Sequence, residues 1–156
     1  ATGRSDALRP LLDARPDLEM IFGSRINLLG RSVKRNLSRH YIGRFFATAV
    51  ATVLGLAIYD TQCGAKLFRV NDQTRELFAD PFVSSWIFDV EIVARLLKQR
   101  RGMDLPQPED VVFEQPLMVW RDVAGSKIRT RDFIIAARDL IRIRSRYLRG
   151  LPRGAS

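Results

Sequence analysis

Leu8, Leu11 and Leu12 fall on one side of a helix that Ser5 or Asp6 can cap and that the Arg15-Pro16 step closes near Ala14. Leu18 to Phe22 reads as a buried strand, and Gly23-Ser24-Arg25 follows at its C-terminal end, where open α/β sheets bind ligands. The pattern then predicts a long helix from about Arg31 into the Phe45–Ile58 run, basic early and apolar late. Asp60 to Gly64 is a turn, Ala65 to Val70 a strand, and Asn71 a cap for a helix through Phe78. Between Trp86 and Arg101, the apolar residues Ile87, Val90, Val93, Ala94 and Leu97 recur at the spacing of a helix packed on a sheet. Pro106 and Pro108 mark a loop. Val111 to Trp120 is strand-like, and Pro116 inside it predicts an edge position. Gly125 breaks the chain before a last helix, about Arg131 to Arg149. No repeat interrupts this order, which predicts an α/β fold with few strands.

With 156 residues and 46% hydrophobic composition, the chain is the size of one folded domain. Its single cysteine, Cys63, excludes a disulfide scaffold and fits a reducing compartment. The best apolar run, Phe45 to Ile58, falls short of the ~18 residues of a membrane-spanning helix, so the chain is not expected to cross a bilayer by itself. It starts at Ala1 without a signal peptide's charged start and apolar middle, and is expected to be a piece of something longer.

The net charge of +9 is uneven: residues 1–59 carry +5, residues 60–126 carry −3 and residues 127–156 carry +7. No acid stands between Glu19 and Asp60, while six basic residues do. An anionic partner explains this asymmetry better than solvated helix faces do.

Arg25 can reach an anion over the strand ends, because Gly23 and Ser24 allow close backbone approach and guanidinium supplies paired donors. Arg35 and Lys127 are its companions in other connections, and three cations with a glycine-bearing turn suit a phosphate; the alternative for each is a solvated charge. Asp60, the first carboxylate after the acid-free window, can act as a base, accept from a sugar hydroxyl, neighbour a metal, or simply cap its turn. Cys63 lacks a histidine nearby and is not expected to be a nucleophile. Asp89 and Glu91 mimic a metal-binding pair, yet residues two apart on a helix are turned about 200° from one another and cannot share an ion. One can face a site while the other packs or pairs elsewhere. The segment Lys127–Arg149 has eight basic residues interleaved with Phe133, Ile134, Leu140, Ile141, Ile143, Tyr147 and Leu148, which fits an interfacial membrane helix and a core-packing helix equally. Arginine-rich helices also bind nucleic acid, but no motif for that is present and no such partner is expected.

In order along the chain, Gly23-Ser24-Arg25, the string Asp60-Thr61-Gln62-Cys63-Gly64-Ala65-Lys66-Leu67-Phe68, Trp86-Ile87-Phe88-Asp89-Val90-Glu91, Glu114-Gln115-Pro116 and Trp120…Gly125-Ser126-Lys127 resemble the C-terminal half of family 2 polyprenyl-phosphate glycosyltransferases, of the dolichyl-phosphate β-glucosyltransferase type. Ala65 departs from the family's usual Phe, a packing change. The resemblance implies the C-terminal part of a GT-A, Rossmann-like nucleotide-sugar transferase domain whose N-terminal nucleotide-binding half is missing. Residues 1–126 would be the acceptor side of that domain and residues 127–156 a basic amphipathic helix at the membrane interface.

The resemblance further implies that the full-length enzyme transfers a hexose, glucose by type, from a nucleoside diphosphate sugar such as UDP-glucose to a dolichyl or undecaprenyl phosphate, with inversion. Asp60, Asp89 and Glu91 are the expected catalytic carboxylates, and Arg25, Arg35 and Lys127 would hold the acceptor phosphate. Ser24, Gln62, Trp120 and Ser126 would position substrate. Mg or Mn would be held by an Asp-x-Asp motif upstream of Ala1, so this chain alone is expected to bind no metal and to be inactive. The enzyme would lie on the cytoplasmic face of a membrane as a peripheral protein. The alternative is a non-catalytic basic module that binds membranes or lipid phosphates.

Overall fold

The computed structural model describes residues 8–26, 32–34, 37–121 and 130–150, which form a mixed α/β unit. Helix α1 (Arg9–Ala14) leads into strand β1 (Met20–Ser24), followed by the short strand β2 (Ser32–Lys34) and helix α2 (Leu37–Leu54). Strand β3 (Lys66–Phe68), helices α3 (Asp72–Glu76), α4 (Phe88–Arg100) and α5 (Pro108–Val111), strands β4 (Val112–Pro116) and β5 (Val119–Arg121), and helix α6 (Thr130–Tyr147) complete the order.

Strand β1 is central in a sheet of order β3-β1-β4, antiparallel to β3 and parallel to β4. Its side chains alternate between two apolar clusters, as the period of a strand requires. Met20 and Phe22 join α2, α4 and α6 residues, while Ile21 joins Leu8, Leu12, Leu18, Cys63, Ala65 and Leu117. The predicted edge position of the Pro116 strand holds among the described residues: β4 lies outermost, and Pro116 stands at its end opposite Ser24.

Two expectations need correction. The helix foreseen from about Arg31 starts only at Leu37, because residues 32–34 form β2 and pair in parallel with β5. The single strand foreseen over Val111–Trp120 is two strands, one in each sheet, with Val111 closing α5. Asn71 does cap its helix: its side chain accepts from the Thr74 amide at 2.7 Å, and the Thr74 hydroxyl accepts in return from the Asn71 amide at 3.1 Å. Helix α2 stops at Gly55, whose φ of +68° suits a residue without Cβ and lets the Gly55 and Leu56 amides both reach the Ala51 carbonyl.

Helix α4 is more buried than its apolar spacing implies, since Asp89, Glu91, Arg95 and Arg100 are also buried. Such charges require partners inside the protein. Arg100 donates to both carboxylate oxygens of Glu19 at 2.6 Å and to the Pro106 carbonyl at 2.9 Å. Arg69 ties α1 to the sheet by donating to the carbonyls of Leu12, Arg15 and Leu18.

Helix α6 sets Ala136, Leu140 and Ile143 into the same core as α2 and α4, which assigns its apolar stripe to packing. A second set, Ile134 and Ile141, is about two-thirds exposed and shares the outer face with Arg138 and Arg142. No helix among the described residues is long and apolar enough to cross a membrane.

Gly23 is where β1 and the segment before β3 approach most closely: its amide donates to the Ala65 carbonyl at 2.7 Å, and a Cβ there would lie 3.0 Å from the Ala65 Cβ and 3.1 Å from the Leu117 Cδ2. Gly23→Ala is therefore expected to cost about 1–3 kcal/mol, read as a lower urea midpoint. An unchanged midpoint would mean that Ala65 can back away without loss.

Candidate active site

The C-terminal ends of β1 and β4 meet the segment that follows α2. Arg25, the first residue after β1, turns its guanidinium onto the Asp60 carboxylate, with Nε 2.7 Å from Oδ2 and Nη2 2.8 Å from Oδ1. The Arg25 backbone amide donates to the same Oδ2 at 3.0 Å. The fork of guanidinium matches the two oxygens of a carboxylate, so this bidentate contact fixes the orientation of both groups. Asp60 is 8% exposed and the Arg25 side chain 18%, which shields the pair from most screening.

Two further carboxylates surround this clasp. Glu114, from β4, accepts from the Asp60 amide through Oε1 and from the Tyr59 amide through Oε2, both at 2.7 Å. Burial pushes its carboxyl above the usual range against the pull of those two amides. Asp89, in the first turn of α4, lies 3.1 Å from the Lys66 ammonium. Its carboxyl is raised by burial first, against the pull of Lys66, and the nearby Asp60 charge adds to the rise. The Lys66 ammonium also donates to the Cys63 carbonyl and lies 5.7 Å from the centre of the Phe22 ring. One short string, from Asp60 to Lys66, thus supplies both the partner of Arg25 and the partner of Asp89.

Glu91 is not part of this assembly. Its fully buried carboxylate accepts from the Val83 and Ser84 amides, from Arg95 and from the Tyr147 hydroxyl, and so joins α4 to the preceding loop and to α6. The half-turn separating residues two apart on a helix sends Asp89 to the clasp side and Glu91 into the core. Ser24 is buried at the end of β1, and its hydroxyl has no hydrogen-bond partner among the described residues. Gln62 is half-buried in the Asp60 string, and Trp120 lies in β5 opposite Val33, its side chain outside the described set. Arg35, Ser126 and Lys127 lie outside the described residues. Cys63 is fully buried and burial pushes its thiol up, which leaves it protonated and inert.

Sequence reasoning did not select Lys66 and Glu114. Both stood in quoted strings, and the available signal was a charged residue inside a strand-like run, which has to find a partner on folding. Among the described residues, no group of three or more His, Cys, Asp and Glu side chains is placed to hold a metal ion. Asp60, Asp89 and Glu114 instead face arginine, lysine and backbone amides, so these carboxylates do not fit a divalent-cation cage. The chemistry this arrangement supports is the gripping and orienting of an anion beside a fixed carboxylate.

Comparison with known proteins agrees on one group. The chain is 33% identical to the dolichyl-phosphate beta-glucosyltransferase of Dictyostelium discoideum, over 86% of the chain and 39% of that protein. It is 31% identical to the Saccharomyces cerevisiae protein of the same name, over 95% of the chain and 43% of the relative, and 34% identical to the Drosophila melanogaster one, over 96% and 43%. The chain thus spans about two fifths of the length of the curated relatives it matches. No family model and no solved structure matches. On this sequence similarity the chain belongs to the dolichyl-phosphate β-glucosyltransferase family, matching the C-terminal part of its members.

Proposed function

We propose that this chain is the acceptor side of a GT-A glycosyltransferase that moves glucose from UDP-glucose to dolichyl phosphate with inversion at the anomeric carbon. The observation that carries the reading is the Arg25–Asp60 clasp at the C-terminal end of β1, inside the Asp60–Phe68 string. A phosphate monoester has a second pKa of about 6 and is already an anionic nucleophile at neutral pH. Such an acceptor needs orientation more than deprotonation. Arg25 would bind the acceptor phosphate, with Arg35 and Lys127 as further cations, and Asp60 would hold Arg25 in line. Asp60 already accepts three hydrogen bonds from Arg25, which favours an orienting role over that of a base. Asp89, paired with the Lys66 ammonium at 3.1 Å, would sit behind the reacting groups, whereas the contacts of Glu91 favour a structural role.

The remaining parts of the reading concern the surroundings. The nucleotide would be bound by a part of the protein outside residues 1–126, and residues 127–156 would face the cytoplasmic leaflet of a membrane. Support for the second point comes from Ile134 and Ile141, exposed beside Arg138 and Arg142, since such a face gains both from apolar insertion and from anionic headgroups. In the test, full-length protein with labelled UDP-glucose and dolichyl phosphate is expected to transfer label into the lipid phase. Protein that binds liposomes yet leaves all label in the aqueous phase would favour a non-catalytic lipid-binding module.

A further inference from the structure

We propose that Glu114 is a positioning residue for the anion grip, holding the Tyr59–Asp60 backbone so that Asp60 presents both its oxygens to Arg25. The proposal rests on the functional reading above for its consequence in catalysis, but its geometry is independent of that reading. Tyr59 and Asp60 lie in a stretch without helix or strand, and their amides have no ladder to join. Glu114 takes the place of a neighbouring strand: one carboxylate oxygen accepts from each of the two successive amides at 2.7 Å. Both bonds are charge-assisted, hence shorter and stronger than an amide–amide contact.

The link then runs through a single residue. The Asp60 amide is held by Glu114, and the Asp60 carboxylate accepts three hydrogen bonds from Arg25. Glu114 sits in β4 opposite Phe22 of β1, three residues before Arg25, so the sheet that carries Arg25 also carries the group that fixes its partner. A carboxylate at this half-buried place is costly, as the upward push of burial on its titration indicates. No apolar residue could supply two acceptors. A glutamine could supply one, and its amide group would then oppose an N–H donor with another.

Selective nitrogen-15 labelling of this chain reads the contact directly. Glu114→Gln is expected to shift the Tyr59 and Asp60 amide signals and the Arg25 Nε–H signal, while leaving the Arg95 Nη-linked resonances of the α4–α6 contact in place. Glu114→Asp, which keeps the charge but shortens the arm, is expected to give a smaller shift of the same signals and serves if the glutamine variant does not fold. Unchanged Asp60 and Arg25 signals in both variants would overturn the proposal. In the transfer assay with full-length protein, Glu114→Gln is expected to lower kcat/KM for dolichyl phosphate about 10²-fold, with KM for UDP-glucose unchanged. An inactive Asp60→Asn beside a fully active Glu114→Gln would also overturn it. If the signals shift as expected while neither variant loses transfer, Glu114 positions the clasp but the assignment of the clasp to acceptor binding fails.

Discussion

Arg95→Met is expected to destabilise the chain by about 3–5 kcal/mol, the loss that follows when one partner of a buried ion pair is removed. The guanidinium of Arg95 donates to the carbonyls of Leu77, Asp80 and Pro81 and to Glu91, each at 2.8 Å. It also lies against the rings of Phe82 and Tyr147, with centroid distances of 4.4 Å and 5.6 Å. Methionine can replace the packing but none of the donors. The Glu91 carboxylate, which has no exposed surface, would be left without its cation, and the carbonyls of Leu77, Asp80 and Pro81 would have to find water instead. Because Glu91 also holds the Val83 amide and the Tyr147 hydroxyl, the loss spreads to the loop before α4 and to the end of α6. Urea denaturation measures it. The double variant Glu91→Leu with Arg95→Met should recover part of the stability, since no charge is then left unpaired. A single-variant loss below about 1 kcal/mol would show that water reaches Glu91 and that the contact is ornamental.

The second large effect is on transfer. In the full-length protein, Asp60→Asn is expected to lower the rate of label transfer to dolichyl phosphate by about 10²–10³-fold, the scale on which lost electrostatic organisation acts. Asparagine keeps the size of the side chain but offers one acceptor oxygen, and its amide group would confront a donor of the Arg25 fork. The guanidinium would then turn away from its seat, and an acceptor phosphate would meet it in the wrong orientation. The effect should fall on the acceptor, leaving binding of the sugar nucleotide as it was. Full activity in Asp60→Asn would remove the clasp from the mechanism.

Much of this arrangement was legible in the sequence. The burial of Leu18–Phe22, the Asn71 cap and the helix after Trp86 follow from local pattern, because each depends on neighbours a few residues away. Placing Arg25 beside Asp60 was within reach for a different reason: an arginine after a strand end and the first acid after a long acid-free window are both at turns. What local pattern could not supply was pairing across distance. Residues 32–34 look like the start of a helix until Val119–Arg121 is beside them. The 200° separation of Asp89 and Glu91 was clear, but only the position of Lys66 on one side and of Arg95 with Tyr147 on the other decides which faces the clasp. The α6 stripe shows the same limit: periodicity finds the apolar positions, and the packing of α2 and α4 determines which of them stay outside.

The parallel pairing of β1 with β4 brings Met20 against Val112 and Ser24 against Pro116, with α2 and α4, two of the three helices of the main core, lying between them in the chain. Closing so long a loop is entropically slow, and a strand emerging early from the ribosome has to wait for its neighbour. During synthesis, residues 20–24 remain an apolar segment with one open edge until β4 has been made, a natural point for a chaperone to hold or for aggregation to begin. Arg25 and Asp60 can find each other before then, but the mouth takes its final shape only with the last third of the chain.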